Sequence, residues 1–243
     1  MSAPTRKRMP TRAMILAAGL GLRMRPLTDK IPKAMIKVLG KPLIGHLLDH
    51  LGAIGVKTIV VNVHYQPDPL IAYLEAHPLA KKIIISDERE TILETGGGVK
   101  AALSHFAGDP FFVANCDAFF PAMGKNPFQT LAEAWDKAPM QALLLLKDQN
   151  GAFGYGGAGD FFMGSGGALE RRGKEPWAPF VFTGLQVLCP ALFDAVEEEI
   201  FSLNEIYDRA LKEGGLLGIP QIGPWFHIGT PGTLAEVEAG ATP

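Results

Sequence analysis

Short apolar runs alternate along the first 146 residues with stretches in which apolar residues recur every three or four positions. The uninterrupted runs predict buried strands at 13–18, 58–63, 82–86, 111–116 and 142–146. The other stretches have the spacing of amphipathic helices and span 43–55, 69–77, 97–106 and 127–138. Further along, residues 179–188 predict another strand, and residues 203–215 predict a helix ended by glycine.

Strands that are apolar along their whole length are typical of sheets covered on both faces, and alternation with helices favours parallel pairing. The pattern therefore predicts a three-layer α/β domain with a mainly parallel central sheet, formed by residues 13–243. Sheets of this kind bind ligands beyond the carboxyl ends of their strands. We expect the functional site at that edge.

Two segments depart from the alternation. After residue 147 the pattern changes, and residues 150–177 are rich in glycine with aromatic residues such as Phe153 and Tyr155 between them. We therefore expect an inserted hairpin region folded over one rim of the sheet. Residues 1–12 are basic and polar, and the apolar run behind them is too short for a signal peptide. They are expected to form a loose tail.

Composition excludes several functional classes. The chain has 243 residues, of which 47% are hydrophobic, and a net charge of −2, which argues against a protein devoted to coating nucleic acid. Its apolar runs fall well short of the roughly 20 residues that span a bilayer, so no membrane partner is expected. Only two cysteines occur, which favours a reducing cytoplasm. Nothing in the sequence fixes the oligomeric state, and a monomer or a small homo-oligomer is expected.

The end of the first predicted strand is the first candidate site. Gly19 and Gly21 are followed by the cations Arg23 and Lys33. Met24 stands where a dinucleotide-binding loop needs its third glycine, and no P-loop motif occurs. Backbone N–H groups and nearby cations can still bind a polyanion. A tight turn with surface cations is the alternative, and the clustering of the cations favours the polyanion site.

Two further stretches carry polar groups next to predicted strands or helices. Asp117 follows the strand at 111–116 and would be either a cap or a ligand for Mg²⁺. Three glycines at 96–98 follow Glu94 and Thr95. These glycines would let another molecule approach the backbone, and a flexible helix start is the weaker alternative.

Together these elements resemble the sugar-1-phosphate nucleotidylyltransferase family. The resemblance covers about residues 13–240, and "LETGGG", "GAGDF" and the short length are most similar to the bacterial N-acetylmuramate-1-phosphate uridylyltransferases of cell-wall recycling. The residues that match the compound motif are Ala13, Leu16, Ala17, Ala18, Gly19, Gly21, Arg23, Pro26, Thr28, Pro32, Lys33, Asn115, Cys116 and Asp117.

The resemblance implies the nucleotide-diphospho-sugar transferase fold. A Rossmann-like nucleotide-binding half would occupy residues 13–146, and a sugar-phosphate-binding half with the hairpin region would occupy residues 147–243. The implied reaction condenses UTP with N-acetylmuramic acid 1-phosphate to give a UDP-sugar and pyrophosphate. A mannose-1-phosphate guanylyltransferase, or another hexose-1-phosphate nucleotidylyltransferase, is the alternative enzyme. A nucleotide-binding regulator with weakened turnover is the alternative from another class.

The resemblance also assigns roles to residues. The implied catalytic residues are Arg23, Lys33 and Asp117. The implied nucleotide-binding residues are Ala17, Ala18, Gly19, Gly21, Arg23, Lys33, Glu94, Thr95, Gly97 and Asn115. A carboxylate such as Glu88 or Glu94 could accept a hydrogen bond from the base. The residues expected on the sugar side are Asp160, Thr183 and Gly184.

One position departs from the family pattern. The family typically has W-x-D-I-G-T near its C-terminus, with the aspartate as a metal ligand, whereas this chain has His227 at that place. The implied metal ligands are therefore Asp117 and His227. Imidazole is a poor partner for Mg²⁺ and a better one for Mn²⁺ or Zn²⁺. Three outcomes stay open: Mg²⁺ held without His227, a preference for a softer ion such as Mn²⁺, or nucleotide binding with poor turnover.

Overall fold

The computed structural model describes residues 9–136 and 140–240, which form thirteen strands and six α-helices. The strands are β1 (Arg12–Leu16), β2 (Lys37–Val38), β3 (Lys41–Pro42), β4 (Thr58–Val63), β5 (Ile83–Asp87), β6 (Phe111–Asn115), β7 (Ala118–Phe119), β8 (Ala142–Asp148), β9 (Phe161–Met163), β10 (Leu169–Arg171), β11 (Phe180–Leu188), β12 (Leu216–Pro220) and β13 (Phe226–His227). The helices are α1 (Leu43–Ala53), α2 (Pro67–Ala76), α3 (Glu94–Ala102), α4 (Pro127–Ala134), α5 (Leu203–Lys212) and α6 (Pro231–Glu238).

The central sheet is mixed but mainly parallel, as the strand pattern predicts. Its main path runs β12–β8–β11–β6–β1–β4–β5. Along this path β11 alone is antiparallel to its neighbours β6 and β8. The carboxyl ends of β1, β4 and β6 therefore meet at one edge, because these three strands are adjacent and parallel.

Helices cover both faces of the sheet. Residues of α1, α2 and α4, including Leu47 and Phe128, pack with Ile15 of β1 in one buried cluster. Residues of α3 and α5, including Val99, pack with Met14 of β1 in a second buried cluster. Consecutive residues of β1 thus point to opposite faces, as the twofold repeat of a strand requires. Both faces are buried, which explains why these strands are apolar throughout.

The glycine-rich segment contains the expected hairpin. Strands β9 and β10 pair antiparallel, and β9 joins the sheet where Phe161 pairs with Phe180 of β11. At the other end of the chain, β1 begins at Arg12, which lies within the segment expected to form a loose tail. Residues 1–8 of that expected tail lie outside the described residues. The predicted helix at 127–138 is observed as α4 to Ala134, and its last two positions also lie outside the described residues.

A third, smaller cluster supports the edge where the strands end. Met24, Phe119 and Phe226 are buried in it together with residues of α6. Strands β7 and β13 pair across this cluster, with Ala118 opposite His227. The cluster therefore fixes the loop after β1 and the segment around β13 to the same place as the end of β6. No helix in the described part of the chain has the length and apolar character needed to cross a bilayer.

Candidate active site

A cavity of about 620 Å³ lies beyond the carboxyl ends of β1, β4 and β6. It has the size and position expected of a small-molecule site in an α/β sheet. Nine of the residues predicted from the sequence line it: Ala18, Gly19, Gly21, Arg23, Lys33, Glu94, Thr95, Asn115 and Asp117. The structure therefore brings the glycine loop, the two cations and the carboxylate into one hollow.

The loop after β1 is held in a defined shape. Gly21 has a left-handed backbone with φ 63°, and its carbonyl accepts a hydrogen bond from the buried Thr28 hydroxyl at 2.8 Å. Met24 is fully buried in the small cluster, whereas Arg23 beside it is exposed. One side of this short turn is thus anchored, and the guanidinium of Arg23 remains available to a ligand in the cavity.

Lys33 and Asp117 form an ion pair in the cavity wall. The Lys33 Nζ atom donates to Asp117 Oδ2 at 2.7 Å, and the two side chains are 12% and 24% exposed. Burial by itself would raise the pKa of the Asp117 carboxyl, but the positive charge of Lys33 and the hydrogen bond that it donates hold the pKa below its ordinary value. Asp117 is therefore ionised at neutral pH and can bind a cation.

His227 faces the same carboxylate. Its Nε2 atom lies 3.9 Å from Asp117 Oδ2 and is buried without a hydrogen-bond partner in the described structure. Burial lowers the pKa of the imidazole, and Asp117 only partly opposes this, so the ring is neutral at pH 7. Gly229 makes room for it, because a Cβ atom there would lie 2.7 Å from the ring. His227 does not itself line the cavity, but Gly229 does.

An ionised carboxylate facing a neutral imidazole is a donor set that fits a divalent cation. The unpartnered Nε2 atom supports this fit, because a buried polar atom normally has a partner. The described residues offer no cluster of three or more metal-ligating side chains. An ion bound here would therefore take its remaining ligands from substrate or water, as Mg²⁺ commonly does with phosphates.

The opposite end of the cavity is organised by Asn62, which the sequence reading missed. Its Oδ1 atom accepts from the Ala17 N–H at 2.8 Å, and its Nδ2 atom donates to Glu88 Oε1 at 3.0 Å. Asn62 lines the cavity, whereas Ala17 and Glu88 do not. A buried asparagine in the otherwise apolar strand at 58–63 is the signal that could have identified it.

Glu88 is buried and its second oxygen, Oε2, has no hydrogen-bond partner among the described residues. Burial raises the pKa of this carboxyl, although the hydrogen bond from Asn62 opposes the rise. The possibility that Glu88 accepts directly from a base is not supported by this position. Glu88 orients the Asn62 amide, and Asn62 in turn fixes the loop that begins at Ala17.

The three glycines at 96–98 face the chain itself and not the cavity. A Cβ atom at Gly96 would lie 2.3 Å from the Phe201 ring, and one at Gly97 would lie 2.0 Å from the Glu199 carbonyl oxygen. Their N–H groups both donate to the Phe201 carbonyl. The expectation that these glycines admit another molecule is therefore wrong, and Gly97 lies outside the cavity lining.

The three residues predicted for the sugar side lie outside the cavity lining and are engaged by the fold. Asp160 accepts from the Phe182 N–H at 2.8 Å. The buried Thr183 hydroxyl donates to the Leu145 carbonyl at 2.8 Å. Gly184, with φ 89°, packs so closely on Asn115 that a Cβ atom would lie 3.0 Å from it. These contacts shape β11 where it passes the cavity.

Several lining residues were not predicted for the site: Leu16, Leu22, Met24, Asn62, Ile92, Cys116, Ser202 and Gly229. Burial raises the pKa of the Cys116 thiol to about 12, so this cysteine is protonated and is no nucleophile. Ser202 and Gly229 come from the C-terminal half of the chain, so both halves build the cavity.

Residues 13–198 match the family model described as the MobA-like NTP transferase domain. The chain belongs to this family. This NTP transferase is 40% identical, over 95% of its length and 96% of the relative's, to the N-acetylmuramate alpha-1-phosphate uridylyltransferase of Caulobacter vibrioides. It is 31% identical to the enzyme of the same name from Neisseria meningitidis, over 94% and 97% of the two chains. A probable mannose-1-phosphate guanylyltransferase 1 of Oryza sativa is 29% identical over 90% of this chain, which spans 62% of that protein.

Solved structures of proteins with low sequence identity to this chain share its fold. The inositol-1-phosphate CTP transferase from T. maritima superposes with a TM-score of 0.75 at 17% identity, covering 98% of this chain and all of that one. HddC from Yersinia pseudotuberculosis, complexed with GMP-PN, also has a TM-score of 0.75, at 20% identity over 94% and 98% of the chains. The predicted α/β nucleotide-sugar transferase fold is thus confirmed.

Proposed function

We propose that this NTP transferase condenses UTP with N-acetylmuramic acid 1-phosphate to give a UDP-sugar and pyrophosphate. The observation that carries the proposal is the convergence of Arg23, Lys33 and Asp117 on one cavity next to a glycine loop. The choice of uridine and of this sugar is supported by the 40% identity to the Caulobacter uridylyltransferase along nearly the whole chain. The enzyme would act in the cytoplasm, in the recycling of cell-wall sugars.

In this reaction a phosphate oxygen of the sugar 1-phosphate attacks the α-phosphorus of UTP. The new P–O bond forms as the bond to the bridging oxygen of the β-phosphate breaks, and pyrophosphate leaves. The nucleophile is already anionic, so no side chain has to activate it. Catalysis then depends on alignment and on charge neutralisation. Arg23 would hold the triphosphate and the departing pyrophosphate, and Lys33 would contact the α-phosphate.

Lys33 and Asp117 have complementary parts in this scheme. Lys33 is held in the cavity wall by the carboxylate, so its ammonium group is positioned before a substrate arrives. Asp117 and His227 would hold a divalent cation, Mg²⁺ or, given the imidazole, Mn²⁺. When bound, that ion neutralises phosphate charge and polarises the reacting phosphoryl group.

The sugar phosphate is proposed to bind beside β11, within the half formed by residues 147–243. Gly184 packs on Asn115, which lines the cavity, and Asp160 and Thr183 fix the path of the same strand. These three residues would position the sugar side by shaping β11. A monomer or a small homo-oligomer is compatible with this scheme, since both halves of one chain line the cavity.

A guanylyltransferase that makes GDP-mannose is the second candidate, favoured by the 29% identity to the rice protein. A panel of UTP, GTP, CTP and dTTP, each combined with N-acetylmuramic acid, N-acetylglucosamine and mannose 1-phosphates, separates the candidates by pyrophosphate release. We expect the highest kcat/KM for UTP with N-acetylmuramic acid 1-phosphate. A preference for GTP would support the second candidate, and nucleotide binding without release would support a regulator.

The metal proposal has its own test. Titration of Mn²⁺ in the presence of UTP, followed by electron paramagnetic resonance, measures binding without turnover. His227→Asp should shift the preference from Mn²⁺ toward Mg²⁺, because an oxygen ligand replaces a nitrogen. Identical affinities for both ions in the wild type and the variant would mean that position 227 is not a ligand.

A further inference from the structure

Ser202 lines the cavity although, apart from Gly229, the other lining residues all lie within residues 16–117. The residues on both sides of it are bonded to the first turn of α3. The Phe201 carbonyl accepts from the N–H groups of Gly96 and Gly97 at 2.8 and 3.2 Å, and the Leu203 N–H donates to Thr95 Oγ1 at 2.9 Å. Ser202 is thus held beside Glu94 and Thr95.

The segment that leads to Ser202 is fixed by a single ammonium group. Lys100 Nζ donates to the carbonyls of Val196, Glu197 and Glu198 at 2.8, 3.1 and 2.9 Å. The absence of a side chain at Gly97 lets the same segment approach α3. The position of Ser202 is therefore built into the folded protein before a ligand binds, which is the condition for specific recognition.

The hydrogen bonds of the Ser202 hydroxyl define what it can offer a ligand. Its oxygen accepts from the N–H and from the Nδ2 atom of Asn204, at 3.2 and 3.3 Å. A hydroxyl has two acceptor lone pairs and one donor. Both lone pairs are engaged, and within the described residues no acceptor takes the O–H hydrogen. Toward the cavity Ser202 is thus a donor and cannot accept.

Glu94, at the same end of the cavity, supplies the opposite group. It is exposed, lines the cavity and begins α3 with a left-handed backbone, φ 59°. A residue other than glycine rarely adopts that conformation, and such strain is concentrated at functional sites. Its carboxylate only accepts hydrogen bonds. One donor and one acceptor therefore stand together at this end.

We propose that Ser202 is a specificity-determining residue that donates to an oxo group of the nucleobase, with Glu94 accepting from the adjacent ring N–H. The oxo group meant here is the one at C4 of uracil and thymine, next to the N3–H, or at C6 of guanine, next to the N1–H. At the same position cytosine and adenine carry an amino group next to an unprotonated ring nitrogen, so Ser202 would face a second donor and Glu94 a second acceptor. The C2 oxo group of cytosine could accept from Ser202, but Glu94 would still face the unprotonated N3. The inference rests on the proposed function and names the class of base that this site takes.

The test compares Ser202→Gly with Ser202→Thr in the full-length protein. Glycine removes the hydroxyl and is the mildest replacement at the start of a helix, whereas threonine keeps the donor. Loss of one hydrogen bond should lower kcat/KM for UTP roughly three- to tenfold, mainly through KM, while CTP changes less than about twofold. Ser202→Thr should stay within about threefold of the wild type for both nucleotides.

An unchanged ratio of UTP to CTP in a folded Ser202→Gly protein, shown by circular dichroism and thermal unfolding, would overturn the proposal. An equal loss for both nucleotides would do the same, since it would indicate a merely structural role. If the wild type releases no pyrophosphate with any substrate pair, the proposed reaction fails. In that case calorimetric titration of the wild type and the same variants with UTP and with CTP tests Ser202 separately from the reaction. Equal affinities of the wild type for UTP and CTP would overturn the proposal for Ser202.

Discussion

Two glycine-rich turns of this chain look alike in sequence but face different partners. Gly19 and Gly21 follow β1 and line the cavity. A Cβ atom added at Gly19 would meet nothing within 4 Å. The glycines at 96–98 lie near the start of α3, and there an added Cβ would meet the Phe201 ring, the Glu199 carbonyl oxygen or the Asn62 amide. At Gly19 the first turn faces open space, whereas at Gly21 an added Cβ would lie 3.0 Å from the Thr28 side chain. All three glycines of the second turn pack against the protein itself.

The two turns also contribute differently to the site. The first turn places backbone N–H groups and the cations Arg23 and Lys33 at the cavity wall, where they can bind a polyanion. The second turn lets the segment that carries Ser202 pack against α3, so its effect on a ligand is indirect. A run of glycines therefore predicts close approach, but the approaching group is identified only by the fold.

The largest loss of activity is expected from substitution of the two cations that follow the first turn. Lys33→Ala and Arg23→Ala should each lower kcat by about 10²–10³-fold, because each removes a positive group aimed at developing phosphate charge. Pyrophosphate release measures the loss, and circular dichroism should show folded protein. The control is Lys30→Ala, an exposed cation in the same loop. Near-normal turnover in either site variant, or an equal loss in the control, would contradict the roles given to Arg23 and Lys33.

A substitution in the second turn should instead lower the stability of the folded protein. Gly97→Ala places a methyl group within 2.0 Å of the Glu199 carbonyl oxygen, so the segment that leads to Ser202 has to move. Overpacking of this kind lowers the free energy of unfolding by about 1–3 kcal/mol. Urea unfolding measures it. A variant as stable as the wild type would mean that the contact between α3 and residues 199–201 is looser than described.

Glu88, which accepts a hydrogen bond from the cavity-lining Asn62, gives a pH-dependent test. Because burial raises the pKa of its carboxyl in the folded state, folding favours the protonated form. Stability from this group is complete below the unfolded pKa and is lost as pH rises through the higher folded value. Glu88→Gln should flatten that part of the profile of unfolding free energy against pH. A profile that keeps the wild-type slope would show that Glu88 does not titrate as described.

The smallest effect is expected at Gly19. Gly19→Ala should change the free energy of unfolding by less than about 0.5 kcal/mol, because the new methyl group enters open space. Because Gly19 lines the cavity, we expect the added methyl group to crowd a bound nucleotide, so that KM for UTP rises a few-fold while kcat is unchanged. Destabilisation as large as that of Gly97→Ala would remove the distinction between the two turns.

The sequence by itself determined the layers of the fold and the charged part of the site. Buried strands can be recognised from their apolar runs. For β4 the prediction matches both ends of the strand, Thr58 and Val63. Arg23 and Lys33 were found because they lie in the long loop that follows β1, and Asp117 was found because it lies just after β6. The residues that follow neighbouring parallel strands lie at the same edge of the sheet. The convergence of these side chains can therefore be predicted from local sequence patterns and the rules of sheet topology.

The tertiary structure alone decided what each polar or glycine residue contacts. The bond from Leu203 to Thr95 joins residues 108 positions apart, and no local pattern encodes such a pair. No local pattern encodes the hydrogen bond from Asn62 to Glu88 or the packing of Gly97 on Glu199 either. Hydrogen bonds and close contacts depend on the direction and distance of single atoms. Those quantities are set when separate elements pack together, whereas apolar periodicity is set within each element.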